Sequence, residues 1–236
     1  MEQKRLDLYT FSEHQLILLN TCINAWRGST FWALMYMQSR LFHAENVDSI
    51  YRELQAQPAQ YDQIMERYYG IQLITGTAAA GSPLYRYYAA YLDALDARQR
   101  SQAERIRCQW LDLNRLTAAR LSALNPHWDA SLWSSMFIHN TTLLCDAADQ
   151  DLLGNYHAIS ASYLLLDQLA CEMGEYMSVG SSGSFISPSP RAARTLSRLH
   201  RGGRSPRRRC RATASAARPE GPPPLPRRPG VQSPPG

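Results

Sequence analysis

The stretch RQRSQAERIRCQWLDLNRLTAARLSALNPHWDASLWSSMFIHNTTL, residues 98–143, decides the fold. From Arg98 to Leu124 the residues Ile106, Trp110, Leu113, Thr117, Leu121 and Leu124 fall near one stripe at helical period. Asn125-Pro126 then ends that helix, because the residue before a proline is pushed out of the α region. Asp129 or Ser131 caps a second helix, with Leu132, Met136, His139 and Leu143 on one face. Two long helices joined by so short a connection must lie antiparallel, which is the unit of an up-and-down bundle.

The same pattern extends outward in both directions. A turn at Gly154-Asn155 leads to a last helix marked by Tyr156, Ile159, Tyr163, Leu166, Ala170, Met173 and Met177. On the other side, Ser82 as N-cap and Pro83 as first residue start a helix bearing Leu84, Tyr88, Tyr91, Leu92 and Leu95. A helix from Ile71 is interrupted near Gly81, and short helices follow Asn46 and begin at Pro58, the latter ending at Gly70. Phe11 to about His43 is apolar on most faces, which predicts a helix buried all round at the bundle centre, with a kink at Gly28-Ser29. Strand alternation is absent. The expectation is an all-α, up-and-down helical bundle of about five to seven helices.

Composition changes abruptly after Gly180. Residues 1–180 carry 13 Lys+Arg against 19 Asp+Glu, whereas residues 181–236 carry 12 Arg against the single acid Glu220. The second part also holds 11 of the 14 prolines and no Tyr or Trp. Burial there cannot offset a backbone ordering cost of roughly 1–2 kcal/mol per residue. We therefore divide the chain into a helical bundle domain, 1–180, and a disordered Arg/Pro-rich tail, 181–236. Two origins of the tail are open, a native disordered segment or an out-of-frame product of GC-rich DNA. The tail could bind phosphate through Arg207-Arg208-Arg209, and Pro223 to Arg228 fits a PxxPxR pattern.

Few residues point to chemistry. His14 near the start of the first helix and His139 on an apolar stripe are the metal-ligand candidates; facing inward, they could line a bundle site or hold a haem. Asp146, Asp149 and Asp151 form an acidic helix end without the glycine and distal Glu of a calcium loop. The five widely spaced cysteines have no CxxC pair and read as reduced core thiols. Lys4 is the only lysine, and no nucleophile elbow, Walker loop or dinucleotide fingerprint occurs in the domain. Arg27 near the centre of Leu16–Met37 argues against a membrane helix, since it costs about 2.5–3.5 kcal/mol on insertion.

Trp110-x3-Asn114, Asn125-Pro126-His127-Trp128, Trp133-x2-Met136-x2-His139, Gly154-Asn155-Tyr156, Asp167 and Met173 together give a recognisable pattern over most of residues 6–180. It resembles a family of small, uncharacterised all-helical bacterial proteins with an N-P-x-W turn, whose first helix holds a pair like Glu13-His14. The resemblance implies structural roles for Trp110, Asn125, Pro126 and Trp128. Members are sometimes labelled acetylglutamate kinase, but amino-acid kinases are α/β proteins with an early lysine and glycine-rich phosphate loops, which these residues do not supply. The family commonly has a further Glu-His where this chain reads Gly81-Ser82-Pro83, and an apolar end where Ser181 begins the tail.

These observations lead to a non-enzymatic interaction or structural module, cytoplasmic and not in a membrane, with homo-oligomerisation through Tyr/Trp-rich faces. A small-ligand, metal or haem site using inward histidines is the alternative, and nucleic-acid association through the tail is a third. Sequence alone names no cofactor.

Overall fold

The computed structural model describes residues 12–70 and 82–178. Expectations for the helix from Ile71, the break near Gly81 and the tail 181–236 lie outside the described residues. Those residues form seven helices and no strand: α1 Glu13–Leu41, α2 Val47–Ala56, α3 Pro58–Tyr69, α4 Pro83–Asp96, α5 Arg100–Leu124, α6 Ala130–Leu152 and α7 Tyr156–Met177. The all-α bundle is therefore the observed architecture.

Local chemistry sets the helix ends. Ser12 Oγ accepts from Gln15 N at 3.3 Å while Gln15 Oε1 accepts from Ser12 N at 2.8 Å, a capping box that starts α1 just after Phe11. Pro58 and Pro83 occupy first-turn positions, where a missing N–H costs nothing. Gly70 closes α3 in the left-handed region at φ 63°. Asp129 Oδ1 accepts from Leu132 N and caps α6.

Helices α4, α5, α6 and α7 pack in sequence, and α7 returns to lie along α1. The α1–α7 pair is antiparallel. Ile23 meets Gly174, Arg27 Nε donates to Asp167 Oδ1 at 2.6 Å, and Gln38 Nε2 donates to Tyr163 Oη at 2.9 Å. The short helices α2 and α3 cover another side of α1. Where α1 ends, Arg40 joins Asp93 and Asp96 of α4 at 2.7 and 2.8 Å.

The helix α1 continues through Gly28-Ser29, and Gly28 is a place of close approach: an added Cβ would lie 3.3 Å from Gln57 Oε1. One expectation for α1 changes: it is not buried all round, since Leu16, Ile17 and Phe31 are exposed. Among the described residues, no helix is long and apolar enough to cross a membrane.

Candidate functional site

The helices leave a partly open pocket between them. A cavity of about 310 Å³ lies among α1, α3, α4, α5 and α6, at the lower end of the size range of small-molecule sites. Four of the five tryptophans, Trp26, Trp110, Trp128 and Trp133, line it, joined by Tyr61, Tyr85 and Phe137. The helical stripe that carries Trp110, Leu113, Thr117 and Leu121 therefore faces a hollow as well as its neighbours.

The rings brace one another. Trp26 lies 4.8 Å from Tyr61 and 5.8 Å from both Trp133 and Phe137, centroid to centroid. Trp133 stacks on Phe137 at 5.5 Å and meets Trp128 edge-on at 5.9 Å. Such pairs contribute about 0.5–1.5 kcal/mol beyond area burial, so the wall is stiff. Three of the indoles, Trp26, Trp128 and Trp133, have a buried Nε1–H with no acceptor among the described residues. Unpaired buried donors cost about 1–3 kcal/mol each, a strain concentrated in this wall.

The N-P-x-W turn positions Trp128. Asn125 Oδ1 accepts from His127 N at 2.9 Å, and Trp128 N donates to Asn125 O at 3.0 Å. Tyr176 Oη reaches over from α7, accepting from Asp129 N at 2.6 Å and donating to His127 O at 3.4 Å. The Tyr69 ring packs 5.2 Å from Trp128 while its hydroxyl donates to the Met177 carbonyl. Trp110, Asn125 and Trp128 are buried, and Pro126 is exposed at the apex.

The polar groups of the wall are few. Ser29 Oγ lies 2.7 Å from Tyr61 Oη, which donates to Ala25 O at 3.2 Å; with the phenol proton so used, Ser29 is the donor to Tyr61. Burial raises both wall phenols, Tyr61 well above its usual range and Tyr85 to about 12, so both stay neutral. Asn114 and Thr141 supply a buried amide and hydroxyl in mutual contact at 2.7 Å. Asp62 of α3 and Arg120 of α5 are the charged side chains on the wall among the described residues.

The two candidate histidines stand apart from this cavity and line no part of it. His14 is exposed in the first turn of α1, more than two turns (roughly 13 Å of helix) before the Ile23–Gly174 crossing. His139 is half-buried on α6, with Glu172 of α7 and Asp146 as electrostatic neighbours. Its Nδ1 is buried without a partner among the described residues, and burial lowers its pKa against the pull of those acids. Among the described residues, no cluster of three or more His, Cys, Asp or Glu could hold a metal ion.

The acidic residues 146–151 are part of α6 itself. Asp149 pairs with Arg100, and burial raises the carboxyls of Asp146 and Asp151. Cys22, Cys145 and Cys171 are free, and burial pushes the Cys22 and Cys145 thiols up to about 12, which leaves them unreactive.

Sequence periodicity placed Trp110 on a helical stripe and assigned Thr141 no role. The missed signal was a small polar residue, Asn114, on the same helical face as Trp110 and Thr117. Fold and cavity together define a helical bundle with an aromatic-walled pocket. No protein-family model, curated protein or solved structure matches the chain.

Proposed function

We propose that the protein binds a small molecule in the aromatic cavity, as a carrier or receptor rather than a catalyst. The observation that carries this is the concentration of four tryptophans around one hollow of about 310 Å³. A core optimised only for stability would close over such a space, because voids forfeit contacts. The cavity favours the small-ligand alternative, with aromatic walls in place of inward histidines. Calorimetric titration of the full chain with flat aromatic probes should give one guest per chain. Leu113→Trp, which fills the cavity, should abolish the binding without loss of helicity. If no flat aromatic probe binds, the proposal is wrong.

A second reading, an interaction module, is supported by exposed apolar side chains. Leu153, Tyr156 and Leu164 are 71%, 66% and 74% exposed, with Leu152 and Leu165 beside them in the chain. Leu152-Leu153 with Tyr156 at the α6–α7 turn, and Leu164-Leu165 on α7, are the exposed apolar side chains such a surface would use. Sedimentation of the wild type and of Leu153→Asp/Leu164→Asp tests it; a monomer in both cases ends the self-association version. The kinship with N-P-x-W proteins, a cytoplasmic location and nucleic-acid binding through the tail rest on sequence alone.

A further inference from the structure

The cavity wall has one polar point deep between α5 and α6. Asn114 and Thr141 are 1% and 2% exposed, and both line the cavity. Asn114 Nδ2 donates to Phe137 O at 3.2 Å and to Thr141 Oγ1 at 2.7 Å. A carbonyl can only accept, so the amide orientation is fixed by Phe137 and both of its hydrogens are spent. Asn114 Oδ1 accepts nothing among the described residues. Thr141 Oγ1, already accepting from Asn114, keeps its own proton to donate. An acceptor and a donor thus stand within the width of one functional group.

Charge narrows the guest further. The wall holds one acid, Asp62, and one base, Arg120, on different helices, so their formal charges cancel. Every other polar side chain on it is neutral, including the two phenols. An ion seated at the buried Asn114–Thr141 pair would lose its hydration without a charged partner there.

Resting on the cavity reading above, we infer that the guest is a neutral, flat aromatic molecule bearing one group that both donates and accepts. A phenolic hydroxyl or a ring lactam fits: it gives a hydrogen to Asn114 Oδ1 and takes one from Thr141. A carboxylate would set its own oxygens against Asn114 Oδ1. The indole and phenyl faces hold the ring, and the amide–hydroxyl pair sets its orientation.

The test keeps the ring constant and changes only the polar group, using naphthalene, 2-naphthol and 2-naphthoate at neutral pH with the full chain. 2-Naphthol should bind about tenfold tighter than naphthalene, as expected for one buried hydrogen-bonding group. 2-Naphthoate should bind more weakly than 2-naphthol. Asn114→Leu and Thr141→Val should each erase the preference for 2-naphthol over naphthalene. If Asn114→Leu does not fold, Thr141→Val decides alone. Equal binding of all three probes, or tightest binding of the naphthoate, overturns the donor–acceptor inference but leaves the cavity reading standing. No binding of any probe overturns both.

Discussion

Gly174 of α7 rests directly on the backbone of Ile23 in α1. A Cβ added to Gly174 would lie 2.5 Å from Ile23 Cα and 2.6 Å from Ile23 N. The two nearest opposing atoms are main chain, so rotating the Ile23 side chain, whose Cγ1 would lie 2.9 Å away, does not make room. Gly174→Ala should therefore cost about 3 kcal/mol or more in urea unfolding, at the upper end of overpacking penalties. Trimming the neighbour with Ile23→Ala should fail to rescue it. A loss under about 1 kcal/mol would mean that the two helices slide apart cheaply.

The Asn114–Thr141 pair should be energetically coupled. Asn114→Leu and Thr141→Val should each destabilise by about 1 kcal/mol, and the double variant by less than the sum. A double-mutant cycle by chemical unfolding should return a coupling of roughly 1 kcal/mol. Strict additivity would show that the hydrogen bond contributes nothing.

Arg40 holds two carboxylates of α4, and all three side chains are about a quarter exposed. Arg40→Met should cost about 2 kcal/mol, because Asp93 and Asp96 would remain half-buried without their guanidinium. Adding Asp93→Asn and Asp96→Asn should recover part of that loss. A harmless Arg40→Met in urea unfolding would reassign the trio as a solvated surface contact.

Stability should depend on His139 between neutral and mildly acid pH. Burial lowers its pKa in the folded state below the ordinary 6.5, so the unfolded chain takes up the proton first. The stabilisation is present above pH 6.5 and is lost as pH falls from there towards the lowered folded value. The neighbouring Asp146 has the opposite sign: its raised carboxyl favours folding at low pH and loses that contribution as pH rises. Unfolding at pH 7.5 and 5.5 should show the wild type losing more stability on acidification than His139→Asn. Equal losses would remove His139 as the titrating group.

The helical architecture was legible because it depends on local signals. Pro58, Gly70, Pro83 and Asp129 each act within a turn of their position, and each marks the expected helix end. The Ser12–Gln15 capping box was equally local and could have been read. The cavity was not legible, because whether Trp26 faces Trp133 depends on the registers of α1 and α6, set by distant contacts such as Gly174–Ile23. His139 shows the same limit. Its place on an apolar stripe foretold partial burial, but only the packed helices show that it lies away from the cavity.

The placement of the tryptophans also makes the protein its own detector. Trp32, packed against Phe31, is the single indole outside the cavity wall. Replacing it by Phe would leave a chain whose entire indole emission arises from the chamber. A shift or quench of that light on adding a compound would report occupancy without any label, so libraries could be screened before the natural guest is known.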